Sequence, residues 1–139
     1  MGAAMAPAAA DTLYHHLQDF HASVNDYDRI ITGDLGYVGS QLLYELMAKK
    51  KIALDDTKHL DCGLLIFDKS QDVHAGGSGC GCSASVLSAY ILPKLQSGEW
   101  KRVAFMATGA LLSTTTSQQG ETIPGIAHLV VLEGERACC

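Results

Sequence analysis

Between Asp72 and Ser85 the chain reads DVHAGGSGCGCSAS, which sets four glycines, two cysteines and a histidine in front of an apolar helical pattern. Glycines at 76, 77, 79 and 81 allow a backbone to pass close to another segment or to a small ligand. The helix entered near Cys82 begins with N–H groups that lack intrahelical partners and with the positive end of a dipole, a pairing suited to a carboxylate. A tight strand-to-helix turn in which glycine only avoids clashes would use the same residues. His74 can serve a carboxylate as a cation or hydrogen-bond donor, or it can be structural. Cys80 and Cys82 invite a metal or redox reading, because a helix N-terminus lowers a thiol pKa. Their single intervening residue is shorter than the usual zinc spacing, and positions i and i+2 of a helix do not share a face, so small buried thiols are expected and no metal. Cys62, Cys138 and Cys139 have no ligand spacing either. Asp34 follows a short apolar run at the edge where α/β folds place ligands, although a turn aspartate bonding nearby amides is the favoured reading of its setting between glycines. Ser113 to Gln119 gathers hydroxyl and amide side chains that suit a polar pocket or a solvated loop.

The elements that must hold these residues follow from periodicity. Leu13, Leu17 and Phe20 recur at helical spacing and predict a helix from about Pro7 to His21. Ile30 to Thr32 reads as a buried strand ending at Gly33. Ser40 is the expected cap of a second helix whose apolar face carries Leu42, Leu43, Leu46 and Met47. Leu64 to Phe67 predicts a second strand, Cys82 to Gln96 a third helix stopped by Gly98 and loosened by Pro93, and Val103 to Thr108 and Leu129 to Leu132 the last two strands. Helices alternating with strands imply an α/β architecture, a mixed, mostly parallel sheet flanked by helices.

Composition narrows the function. A chain of 139 residues, 47% hydrophobic, supports one domain with one sizeable core. Its net charge of −5, with no basic cluster beyond Lys49 to Lys51, argues against nucleic acid as partner. Five cysteines do not form a secreted disulfide framework, and a reducing compartment fits them better. The opening MGAAMAPAAA lacks a basic n-region and is broken by Pro7, so it is not read as a signal peptide. No run reaches bilayer-spanning length, so membrane association is expected to be peripheral.

MGAAMAPAAADT at 1 to 12, TGDLGYVGS at 32 to 40, QDVHAGGSGCGCSAS at 71 to 85, and ATGALLS with SQQGETIPGIAH between 107 and 128 resemble the stage V sporulation protein AD family. The resemblance covers nearly the whole chain. It implies a thiolase-like fold of two similar halves, of which residues 1–139 resemble the C-terminal half, with sheet order 3-2-1-4-5 and the first, central strand absent. Unpaired ladder groups beside the gap are then expected. The implied role is non-catalytic binding of dipicolinic acid (pyridine-2,6-dicarboxylate), free or as its calcium chelate, in spore formation and germination. The implied setting is the cytoplasmic side of the forespore or spore inner membrane, in its dipicolinate-transport machinery, with other stage V sporulation A proteins as partners and no cofactor. Condensing enzymes of the ketoacyl synthase III type share the fold and use a histidine and an asparagine in this half. Here Gly33 falls at the histidine position, beside Asp34, and Cys80 at the asparagine position, so the comparison implies no enzyme activity. The ligand site that follows comprises Asp34, His74, Gly79 and Cys80. An acyl-transferring condensing enzyme and a purely structural docking module are the alternatives.

Overall fold

The computed structural model describes residues 2–110, 114–122 and 125–134; Ser113, Cys138 and Cys139 lie outside the described residues. Its frame is a four-stranded sheet in the order β2-β1-β3-β4, built from β1 (Arg29–Thr32), β2 (His59–Asp61), β3 (Arg102–Ala110) and β4 (Gly125–Glu133). β1 runs parallel to both β2 and β3, and β4 returns antiparallel along β3. The α/β class and the mostly parallel sheet thus hold.

Ile30 and Ile31 point to opposite faces, and both are completely buried. That requires cover on both sides, as is usual for parallel strands. On one face α1 (Gly2–Asp19) and α2 (Gly36–Lys49) pack Met5, Ala9, Leu13, Leu17, Leu43 and Met47 against Ile30, Ala104 and Met106. On the other, the helix from Cys82 to Gln96 packs Val86, Ile91 and Leu95 against Ile31, Val103 and Phe105. Each such fully buried aliphatic side chain contributes roughly 1.5–3 kcal/mol relative to exposure.

Several expected elements are displaced. α1 starts at Gly2 and ends at Asp19, so Pro7 lies inside it. Ser40 caps nothing: α2 begins four residues earlier, and the Ser40 hydroxyl is buried without a partner. Leu64 and Leu65 belong to a one-turn helix, α3 (Cys62–Leu65), and the second strand is His59–Asp61. Its alternation of a polar, an apolar and a polar residue concealed it from a search for apolar runs. No vacancy flanks β1 either, since it is laddered to β2 on one side and β3 on the other.

The third helix has the expected bounds but three parts: α4 (Cys82–Val86), a π-turn (Leu87–Ile91) and α5 (Leu92–Gln96). Pro93 has no N–H to donate, and its ring would crowd the preceding turn. The wider turn absorbs this, with the Leu92 N–H reaching back to the Leu87 carbonyl. Gly98, at φ +76°, ends the helix as expected.

Two aspartates fasten β3 to the rest. The Asp28 carboxylate accepts the Lys101 and Arg102 N–H groups at 2.7 and 2.9 Å, at the start of β3. Further along, the Asp34 N–H donates to Thr108 Oγ1 at 3.1 Å, and the Thr108 hydroxyl donates back to Asp34 Oδ1 at 3.1 Å.

Candidate functional site

β1 ends at Thr32, and the chain turns through Gly33 and Asp34 into α2 at the C-terminal edge of the parallel strands. Gly33 is enclosed. A Cβ there would lie 2.8 Å from Ser83 Oγ, 2.8 Å from Thr108 Oγ1 and 2.9 Å from the Thr108 amide nitrogen. No side chain fits at this position without displacing backbone.

Asp34 is a clamp. Its Oδ2 accepts the Ser78 hydroxyl at 2.9 Å and the Gly79 N–H at 3.3 Å, while Oδ1 takes the Thr108 hydroxyl. All three donors are uncharged, so the carboxylate spends its acceptors on holding the glycine-rich segment over the ends of β1 and β3. Gly63 and Gly77 fix a second point of the segment through a 2.6 Å backbone bond, and the Tyr37 N–H donates to the Ala75 carbonyl at 2.8 Å.

Beneath Asp34 lies a buried polar relay. The Thr32 hydroxyl donates to Asp61 Oδ1 at 2.6 Å, so its oxygen must accept from His59 Nε2, 2.8 Å away. That assigns the proton to Nε2 and leaves Nδ1 to accept the Tyr44 hydroxyl at 2.9 Å. Asp61 also accepts the Leu35 and Gly36 N–H groups at 2.8 and 2.9 Å, satisfying the first amides of α2 from outside the helix. His59 and Asp61 are 3% and 2% exposed. Burial pulls the His59 pKa from 6.5 down to about 4, which keeps the imidazole neutral. Burial pushes the Asp61 carboxyl up, and its three donors pull it back in part. Asp61 and His59 were not among the expected site residues. Two polar residues two apart on a strand share one face, and that spacing in His-Leu-Asp was the signal available.

Of the four expected site residues, Asp34 and Gly79 are joined directly. His74 is 87% exposed by side chain, at φ +48°, with Nδ1 3.6 Å from Asp72 Oδ1. It sits one residue before Ala75, whose carbonyl reaches α2. Cys80 is exposed. Gly79 adopts φ +143°, open to glycine and rarely to other residues, and a Cβ added at 79 or 81 would meet no atom within 4 Å. The surface above these two glycines is therefore free.

The remaining thiols are structural in setting. Cys82 is buried, its Sγ 3.8 Å from the Gly33 carbonyl oxygen. Burial first, then the neighbouring Asp61, pushes the Cys62 thiol up to about 12, the opposite of an activated nucleophile. Among the described residues no group of histidine, cysteine and carboxylate side chains has a geometry for a metal ion. No described helix is long and apolar enough to cross a membrane.

The arrangement, a glycine segment tethered to an aspartate at the end of a parallel strand, lies wholly within a region shared with known proteins. The family model for stage V sporulation protein AD matches residues 1–133. Stage V sporulation protein AD of Bacillus subtilis (strain 168) is 53% identical over 133 residues, an alignment covering 96% of this chain and 39% of the relative. The chain thus spans about two-fifths of the length of the curated relative it matches. With the family model matched from end to end of the folded region and more than half of the aligned positions identical, the chain belongs to the stage V sporulation protein AD family.

Proposed function

We propose that the chain is a non-catalytic binding segment for dipicolinic acid, free or as its calcium chelate, within a family whose role is in sporulation. The observation that carries this reading is the open glycine surface at 79 to 81, held in place by the Asp34 clamp. A flat dicarboxylate presents four acceptor oxygens and no bulk above its ring plane, and it requires N–H donors at close range. The backbone amides of Cys80 and Gly81 and the exposed His74 imidazole supply donors of that kind, while the Gly79 and Cys82 N–H groups are held by Asp34 and the Gly79 carbonyl. Asp34 would repel a carboxylate and serves as a positioning residue, fixing the segment while its own charge is met by three donors.

Catalysis of the condensing type finds no support at this corner. Acyl transfer needs a base within hydrogen-bond reach of the reacting group, and Gly33 has no space for one. The setting we infer is peripheral, at the forespore or spore inner membrane, through other stage V sporulation A proteins.

Calorimetric titration with pyridine-2,6-dicarboxylate, with and without calcium, tests the reading. Gly79→Val should weaken binding at least tenfold, because it puts a branched Cβ at φ +143° and above the free surface. Cys82→Ser should change it little, since the thiol faces the Gly33 carbonyl rather than that surface. Wild-type affinity in a folded Gly79→Val protein removes the segment from the site. Turnover of an acyl-CoA by the protein would overturn the non-catalytic reading.

A further inference from the structure

Six residues back along β3 from Thr108, roughly 20 Å from the Asp34 corner at strand rise, a cavity of about 470 Å³ opens between the C-terminal end of α1 and the β3–β4 pair. It is lined by His16, Phe20, Arg102, Leu129, Val131 and Glu133. Each has a fixed relation to its neighbours. The Arg102 guanidinium lies 5.0 Å over the Tyr27 ring, with Nε 3.3 Å from Glu133 Oε1. The Tyr27 hydroxyl holds His16 Nε2 at 2.7 Å, and the His16 ring sits 4.9 Å from the Phe20 ring, tilted by 40°. Phe20 is 70% exposed, the most exposed large apolar side chain among the described residues.

The chemistry of this set is specific. The Arg102 Nε lies 3.3 Å from Glu133 Oε1 without a hydrogen bond to it, so the guanidinium keeps the forked terminal donors that match a carboxylate. Leu129 and Val131 make an apolar floor, and the Phe20 ring an open wall of the kind that stacks on a flat ring. Arg102 and Glu133 cancel in charge, while burial and the nearby Arg102 hold the His16 pKa below its ordinary value. The single guanidinium can pair with one carboxylate, and no second cation is present among the described lining residues for another.

We propose that this cavity binds a small aromatic monocarboxylate, with its carboxylate on Arg102 and its ring against Phe20 over Leu129 and Val131. The proposal is independent of the glycine segment and of dipicolinate, because the two sites share no residue.

The test titrates the protein with benzoate while following the NMR resonances of His16 and Phe20. Saturable shifts of both are expected. Arg102→Gln should weaken the binding about tenfold or more, as loss of a charge-assisted pair does. Glu133→Gln should tighten it, because it removes a competing carboxylate beside Arg102. Inorganic phosphate, largely dianionic at pH 7.5, should not reproduce the shifts. Unchanged benzoate affinity in a folded Arg102→Gln protein, weaker binding in Glu133→Gln, or equal shifts with phosphate would each overturn the proposal.

Discussion

His59 should give this protein an acid-sensitive stability whose size follows from its burial. The unfolded chain takes up a proton on this imidazole from about pH 6.5, whereas the native state resists until about pH 4. Across that window the unfolded state binds more protons, so stability falls as pH falls from 6.5 to 4 and flattens below it. Two and a half pH units at about 1.4 kcal/mol each set a ceiling of roughly 3.5 kcal/mol, of which about 2 to 3 are lost between pH 7 and 4.5. No screening discount applies to a side chain that is 3% exposed. Asp61 acts with the opposite sign, because a carboxyl whose pKa is raised in the native state favours folding on acidification. The comparison must therefore be differential. Urea unfolding of the wild type and of His59→Gln, in which the amide can still donate to Thr32, should be followed from pH 7.5 to 4.5. The wild type should lose about 2 to 3 kcal/mol more than the variant. Parallel pH profiles would refute the claim that His59 is held neutral by burial.

Other consequences are more local. Gly33→Ala should destabilise the fold by about 1–3 kcal/mol, because its Cβ lands on Thr108 backbone as well as on two hydroxyls, and denaturant midpoints measure this. Asp34→Ala should speed amide hydrogen exchange at Gly79 while leaving β1 and β3 protected, and equal exchange would dismiss the clamp. Asp61→Ala orphans the Thr32 hydroxyl and two α2 amides, so a loss of about 3 kcal/mol or more is expected, and a loss below about 1 would mean that water replaces the carboxylate.

Much of the fold was legible because most of its elements carry apolar periodicity. Leu13 and Leu17 marked α1, Ile30 and Ile31 marked β1, and the stretch from Cys82 to Gly98 gave the third helix with its stop. What escaped is polar. β2 contributes to the sheet through His59 and Asp61, whose burial is made tolerable only by Thr32, Tyr44 and two amides from α2, partners that are adjacent in space and not in sequence. The start of α2 was misplaced for the same reason: its amides are capped by Asp61, 25 residues from Gly36, and no local signal announces a remote cap. At the candidate site, the link between Asp34 and Gly79 joins residues 45 apart. The sequence marked both residues but could not give Asp34 its part as the tether.

The two carboxylates that bracket β3 also set an order of events in folding. β1, α2 and β2 form a local unit whose ladder pairs residues 29 apart, as Thr32 with Asp61. β3 must come from about 74 residues away, at the larger entropic cost of a longer loop. It should therefore join the sheet last, arriving with β4 as a preformed pair. At that moment a slip of one residue would turn Val103 and Phe105 to the α1–α2 side and Ala104 and Met106 to the other, inverting both faces of the core. Asp28 at one end and Asp34 at the other can both be satisfied in one alignment only, so the late strand is proofread at each end by a carboxylate. Because the docking pair is nearly self-contained, a second copy's β3–β4 pair can take the same berth when chains refold at high concentration, and strand exchange between copies is the misassembly this topology invites.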